Sequence, residues 1–158
     1  MLAFFQLDGT TTIVDSSRRS NYTVVIDKSH QGSAYTILGS TSNVVRLLTV
    51  SGSQAFQLNC RASTATCEAA LPVVQVPVND GREIRAIERV TGYNGLYLMA
   101  SVDTLILFSA TSMRVVASVQ WSSKTWMSQY GMDHVVIRQS YDQMNAVVQV
   151  YVVLANEA

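Results

Sequence analysis

The sequence predicts an all-β protein of many short antiparallel strands, arranged as a single domain over residues 1–158 with little helix. Short polar turns that contain glycine separate the apolar segments, and glycine supplies the positive φ angles that hairpin turns need. The segments between these turns are rich in β-branched and aromatic residues, which fit a pleated sheet better than a helix. No segment combines a helical period with clear start and stop signals. The turns are Asp8-Gly9, Ser51-Gly52, Asp80-Gly81 and Asn94-Gly95.

The glycine turns predict particular hairpins. Three of them would join residues 2–7 with 10–15, residues 73–78 with 82–90, and the segment before Asn94-Gly95 with residues 96–101. Further strands are predicted at 22–26, 34–38, 44–50, 55–58, 104–108, 114–119, 134–137 and 146–154.

Other features refine this prediction. Residues 105–108 and 147–154 are apolar on both faces, which favours sheets covered on two sides. Pro72 and Pro77 bracket a segment that reads as an edge strand or an irregular loop, because proline cannot donate to a sheet ladder. Helix is expected only as single turns, within 84–90 and near 122–128.

Residues 96–119, from Leu96 to Val119, follow a definite order of strands and turns. A strand of small residues precedes a turn at Asp103, an apolar strand then ends at Phe108, and a Ser/Thr turn leads into the next strand. This order resembles a blade of a WD-repeat β-propeller, although the Trp-Asp and Gly-His pairs of WD repeats are absent. The resemblance implies a small or incomplete ring whose strand edges need a partner. A barrel, a trefoil and a two-sheet sandwich are the alternatives.

Composition bears on the choice of partners. Eleven basic and eleven acidic residues give a net charge of zero, so nucleic acid and anionic membranes are not favoured. Charged residues make up only 14% of the chain, about half the usual share. Part of the surface is therefore expected to be covered by a protein partner or by self-association.

The sequence also bears on membranes and on compartment. No apolar run of about 18 residues exists, so no membrane span is expected. The first five residues lack the basic flank of a signal peptide, and an apolar strand beginning at Leu2 favours a domain excised from a longer chain. The compartment is not specified, with an intracellular location slightly favoured.

Groups for catalysis or metal binding do not form a recognisable set. The two histidines, His30 and His134, have no neighbours at ligand or triad spacing, and no Gly-x-Ser-x-Gly or phosphate-binding loop occurs. Aspartates such as Asp27, Asp103 and Asp142 are expected at turns, where they accept hydrogen bonds from nearby amides. We therefore expect no catalytic residues, no metal site, no cofactor and no enzymatic activity.

Two aromatic sites are candidates for binding a partner. Trp121, Trp126, Met127 and Tyr130 lie close together in the sequence, and these residue types are enriched where one protein grips another. Tyr93, before Asn94-Gly95, is the second site. Packing in the core is the rival interpretation for the first site, and packing of Tyr93 beside its own turn is the rival for the second.

The two cysteines, Cys60 and Cys67, allow two interpretations. The simpler one is a pair of reduced, partly buried thiols, and the alternative is a disulfide that closes a hairpin. Taken together, the sequence predicts a non-catalytic protein–protein interaction or scaffold domain within a larger assembly. The alternatives are a self-assembling shell or coat subunit and, less favoured, a small-ligand binder or hydrolase.

Overall fold

The structure is a computed structural model, and it describes residues 2–5, 10–15, 20–41, 43–79, 81–121 and 134–155. Side chains are described from residue 24 onward within these ranges, except for Lys28, His134 and Ala155. The strands are β1 (Leu2–Phe5), β2 (Thr10–Asp15), β3 (Ser20–Val25), β4 (Ala34–Ser40), β5 (Val44–Ser51), β6 (Gln54–Arg61), β7 (Thr66–Gln75), β8 (Ala86–Arg89), β9 (Leu96–Ala100), β10 (Thr104–Ser109), β11 (Arg114–Gln120), β12 (His134–Asp142) and β13 (Val147–Ala155).

The protein is all-β, as the sequence predicts. The only helical element in the described residues is a single 3-10 turn at Lys28–His30. The Asp27 carboxylate accepts hydrogen bonds from the Ser29 amide and the Ser29 hydroxyl, both at 3.0 Å, and these bonds lower the pKa of Asp27. The strands pair in antiparallel fashion, except for one parallel pairing of Val25 in β3 with Thr66 in β7. The predicted hairpins β1–β2 and β8–β9 are both present.

The chain divides into two compact units, one of residues 1–51 and 55–73 and the other of residues 52–54 and 74–158. The expectation of a single domain over 1–158 stays a prediction.

The first unit carries a seven-stranded sheet in the order β1-β2-β3-β7-β6-β5-β4. Alternate residues of its strands point to one side, as the period of two requires, and there they form a core. Each fully buried leucine or isoleucine in such a core contributes about 1.5 to 3 kcal/mol. The core contains Val24, Ile26, Val45, Leu47, Phe56, Leu58, Cys60 and Cys67, with Tyr35 and Ile37 packed against them.

Strand β7 includes Pro72 and stands between β3 and β6 in the sheet order. Its described pairing with β3 joins only Thr66 to Val25, so within the described residues no strand lies beside Pro72 on that side. This part of β7 is therefore an edge, as the sequence predicts for the segment that Pro72 and Pro77 bracket, and proline is tolerated at such an edge.

The second unit contains a four-stranded antiparallel sheet in the order β11-β10-β9-β8 and the hairpin β12–β13. One face of the four-stranded sheet carries Leu98 and Ala100, which share a core with Val135 and Ile137 of β12. The alternate residues Met99, Ile106 and Phe108 on the other face are also fully buried. Both faces of this sheet are therefore covered, as the apolar run at 105–108 predicts.

Two expectations that involve strand β8 are wrong. Residues 73–78 and 82–90 do not form a hairpin, because β7 and β8 belong to different sheets. The helical turn expected within 84–90 is replaced by strand β8, whose register places Ile87 opposite Met99. Pairing with β9 gives all four residues of β8 a partner on one edge, whereas an isolated helical turn is only marginally stable.

Candidate partner-binding site

The turn between β12 and β13 is held by the side chain of Asp142. Its carboxylate accepts hydrogen bonds from the amides of Met144, at 3.0 Å, and Asn145, at 3.3 Å, and from Asn145 Nδ2 at 2.6 Å. These bonds stabilise the ionised carboxylate, so the pKa of Asp142 lies below its ordinary value of 3.8, with the Asn145 side chain the largest cause. The ordered turn presents Met144 to solvent with 96% of its surface exposed.

The turn between β8 and β9 lies beside it. Tyr93 N donates to Val90 O at 3.2 Å within this turn, and Tyr93 Oη donates to Ala146 O at 3.3 Å across to the β12–β13 turn. Gly92 has a φ of 82°, and a Cβ placed on it would lie 3.3 Å from Cζ of Tyr141. The backbone at Gly92 therefore packs directly on the Tyr141 ring.

Gln139 in β12 ties the two hairpins together. Its Oε1 accepts from the Thr91 amide at 2.8 Å, and its Nε2 donates to Arg89 O at 2.7 Å. These bonds satisfy backbone groups where β8 ends. Arg89 also hydrogen bonds Asn94 Oδ1 in the neighbouring turn. Both turns are thus fixed by hydrogen bonds within the chain.

Together these turns display an apolar surface, which we call the Tyr–Met site and define as Tyr93, Tyr141 and Met144. Tyr93 is 40% exposed and Tyr141 is 39% exposed. Tyrosine and methionine gain much from burial in a partner, and rigid turns reduce the conformational entropy that binding costs. The sequence prediction included Tyr93 but missed Tyr141 and Met144. The sequence signal for this turn is the spacing of Asp142 and Asn145, three residues apart, which is typical of a turn capped by an aspartate side chain.

Trp121, the first residue of the other predicted site, lies at the opposite end of β9 from Tyr93. Its Nε1 donates to Val102 O at 3.0 Å and its amide donates to Asp103 O at 3.0 Å, so it is half-buried against the β9–β10 turn. This pattern favours a packing role for Trp121. Trp126, Met127 and Tyr130 lie outside the described residues. Trp121 and Tyr93 therefore lie at separate places on the second unit.

Asp103 is the centre of a buried polar network in that turn. Its carboxylate accepts from the hydroxyls of Ser101 and Thr104 at 3.0 Å each and from Asn79 Nδ2 at 2.9 Å. Neutral donors thus satisfy the buried carboxylate, which fixes the turn and links it to the segment after β7. The geometry gives Asp103 a structural role.

The structure joins Cys60 and Cys67 in a disulfide across the β6–β7 hairpin, with both residues in the core of the first unit. The sequence favoured reduced thiols instead. The described residues contain no group of three histidine, cysteine or acidic side chains able to hold a metal ion. Over the same residues, no helix has the length and hydropathy to cross a membrane.

No protein-family model matches the chain, and no curated protein matches it significantly.

Proposed function

We propose that the protein is a non-catalytic interaction domain that binds another protein of a larger assembly through the Tyr–Met site. The observation that carries the proposal is the nearly complete exposure of Met144 on a turn held by three hydrogen bonds, together with the partial exposure of Tyr93 and Tyr141 next to the two turns. The fixed turn keeps the Met144 side chain in water, where its apolar surface gains nothing unless a partner covers it. The low charge of the chain supports the same proposal.

The four-stranded meander β8 to β11 supports a propeller-like scaffold as the form of this domain. Blades of β-propellers are four-stranded sheets, and interaction domains of this kind bind partners at the loops that join the strands. Tyr93 of the Tyr–Met site lies in such a loop, between β8 and β9. The residues that resemble a WD blade, Leu96 to Val119, supply β9, β10 and β11 of this meander.

Site-specific crosslinking tests the proposal. A photoreactive phenylalanine analogue replaces Met144 in one variant and Val116 in a matched control, since Val116 is also exposed but lies on β11. We expect the residue 144 variant, mixed with an extract of the source cells, to crosslink a small set of proteins that the 116 variant does not. With the purified partner, Met144→Lys should weaken binding about tenfold, because a desolvated apolar contact is worth about 1 to 2 kcal/mol. Identical crosslinked sets at both positions would refute the proposal.

A further inference from the structure

The ends of the three sheets leave six edge strands within the described ranges. Edge strands expose unpaired backbone groups, and proteins usually protect them by shortness, bulges or charges. Strands β1 and β8 have only four residues each. The register of β4 shifts between Ile37 and Gly39, and that of β11 passes over Val116, so each carries a bulge. Strand β12 carries Arg138 and Asp142 and packs beside β8 and β9.

Strand β13 has none of these protections. It has nine residues, contains no charged residue, proline or glycine, and pairs with β12 over its whole length without a register shift. Its inward residues, Val148 to Leu154 at alternate positions, pack on the core of the second unit. Its outward residues Val147, Tyr151 and Val153 are exposed. In the described part of the chain, its second edge has no strand beside it.

We propose that β13 pairs edge to edge with β13 of a second copy of this chain. The two strands run antiparallel about a two-fold axis, so that the sheet becomes β12-β13-β13-β12. A full nine-residue overlap is about 30 Å long and joins two marginal two-stranded sheets into one of four strands. This surface is distinct from the Tyr–Met site and does not depend on it.

The charge pattern selects a second copy as the occupant. A strand that adds to β13 places alternate residues on the inward face, beside the residues that pack on the core, where a charge would be desolvated without a partner. An uncharged strand rich in β-branched residues therefore fits this edge best. Among the described strands, only β13 runs for more than seven residues without a charge. Antiparallel self-pairing therefore satisfies both edges at once and places no like charges opposite each other.

The full-overlap register specifies which residues of the two copies lie opposite each other. Residue 151 is the middle of β13, so the two-fold axis passes between Tyr151 of one copy and Tyr151 of the other. Gln149 of each copy then lies opposite Val153 of the other, on the same outward face. The Tyr151 hydroxyl donates to Gln149 Oε1 at 3.0 Å in the single chain, and its side chain is 54% exposed. A charge introduced at 151 would meet its own copy directly.

Light scattering coupled to size exclusion tests the proposal at protein concentrations from about 5 to 500 µM. We expect the full chain to approach twice the monomer mass as concentration rises. Tyr151→Lys alone and Tyr151→Glu alone should each weaken the dimer about tenfold or more, since like charges then oppose each other across the axis. An equimolar mixture of the two variants should recover a dimer, and that dimer should contain one copy of each.

Matched controls separate pairing from folding. Val119→Lys changes a residue of equal exposure on the bulged edge strand β11 and should leave the dimer unchanged. Circular dichroism and thermal melting of both Tyr151 variants should match the unmodified chain.

A chain that stays monomeric at the highest concentration would overturn the proposal. So would a dimer that Tyr151→Lys does not weaken, or a Lys and Glu mixture that does not recover pairing. Failure of the residue 144 variant to crosslink a partner would refute the Tyr–Met proposal alone and would not bear on the pairing of β13.

Discussion

Single side chains hold the Tyr–Met site in place, and Asp142 is the most important of them. Its carboxylate, held by Asn145 and the Met144 amide, has a pKa below 3.8 in the folded protein. Because folding lowers the pKa of Asp142, the ionised carboxylate stabilises the turn at every pH above the pKa of the unfolded chain. That stabilisation is lost as the pH falls through the pKa of the folded chain. The site should therefore persist through neutral pH and loosen only in acid.

Asn145→Ala tests the cause of this shift. Removing the largest contribution, the side-chain amide, should raise the pKa of Asp142 toward 3.8. NMR titration of the carboxyl carbons measures this directly. Asp27 is the internal control, because its lowered pKa depends on Ser29 in the first unit and should not move. An unchanged Asp142 titration in the variant would show that Asn145 does not stabilise the carboxylate.

Gly92 is the second residue on which the site depends. Its positive φ and its contact with the Tyr141 ring both oppose a side chain. Gly92→Ala should lower the free energy of unfolding by about 1 to 2 kcal/mol for the backbone alone, with a further loss as Tyr141 shifts. Gly81→Ala is the matched control, since Gly81 has a φ of 72° with nothing near its Cβ position. Urea denaturation measures both, and equal losses would mean that the Tyr141 contact adds nothing.

At the scale of elements, hairpins could be predicted from sequence because their signals are local. The turn at Asn94-Gly95 and the alternation of the following strand lie within a few residues of each other, and β8–β9 follows from them. The position of β7 could not be predicted, because its neighbours β3 and β6 depend on pairing between distant segments. The turn signal at Asp80-Gly81 is local and predicts a hairpin, but the segments on its two sides belong to different sheets.

The same distinction applies to the candidate site. Tyr93 could be recognised beside its turn, but its hydrogen bond to Ala146 joins residues 53 positions apart. Nothing in the sequence around Met144 distinguishes it from a buried methionine, because its exposure depends on the turn that the Asp142 side chain caps. Sequence patterns therefore identified residue types suited to binding, whereas the pairing of two hairpins decided which of them are exposed together.

At the scale of the whole molecule, the disulfide makes the free energy of unfolding depend on whether the surroundings are oxidising or reducing. Cys60 and Cys67 lie in the core of the first unit, and disulfides of this kind persist in oxidising compartments. In a reducing compartment both thiols would stay free, so the cross-link should form only where thiols are oxidised. The intracellular location that the sequence slightly favours stays a prediction.

Removing the disulfide should destabilise the chain measurably. Closing a loop of about eight residues restricts the unfolded chain by about 2 to 3 kcal/mol, so Cys60→Ala with Cys67→Ala should lower the free energy of unfolding by that amount or more. The extra loss comes from the cavity that two smaller side chains leave in a packed core. Urea denaturation of the double variant measures the total.

The unmodified chain with a reducing agent in the same urea series is the control, because it lacks the cross-link but keeps both side chains. Alkylation of two free thiols in the unreduced, denatured chain would contradict the pairing, since the sulfur atoms would then not be joined.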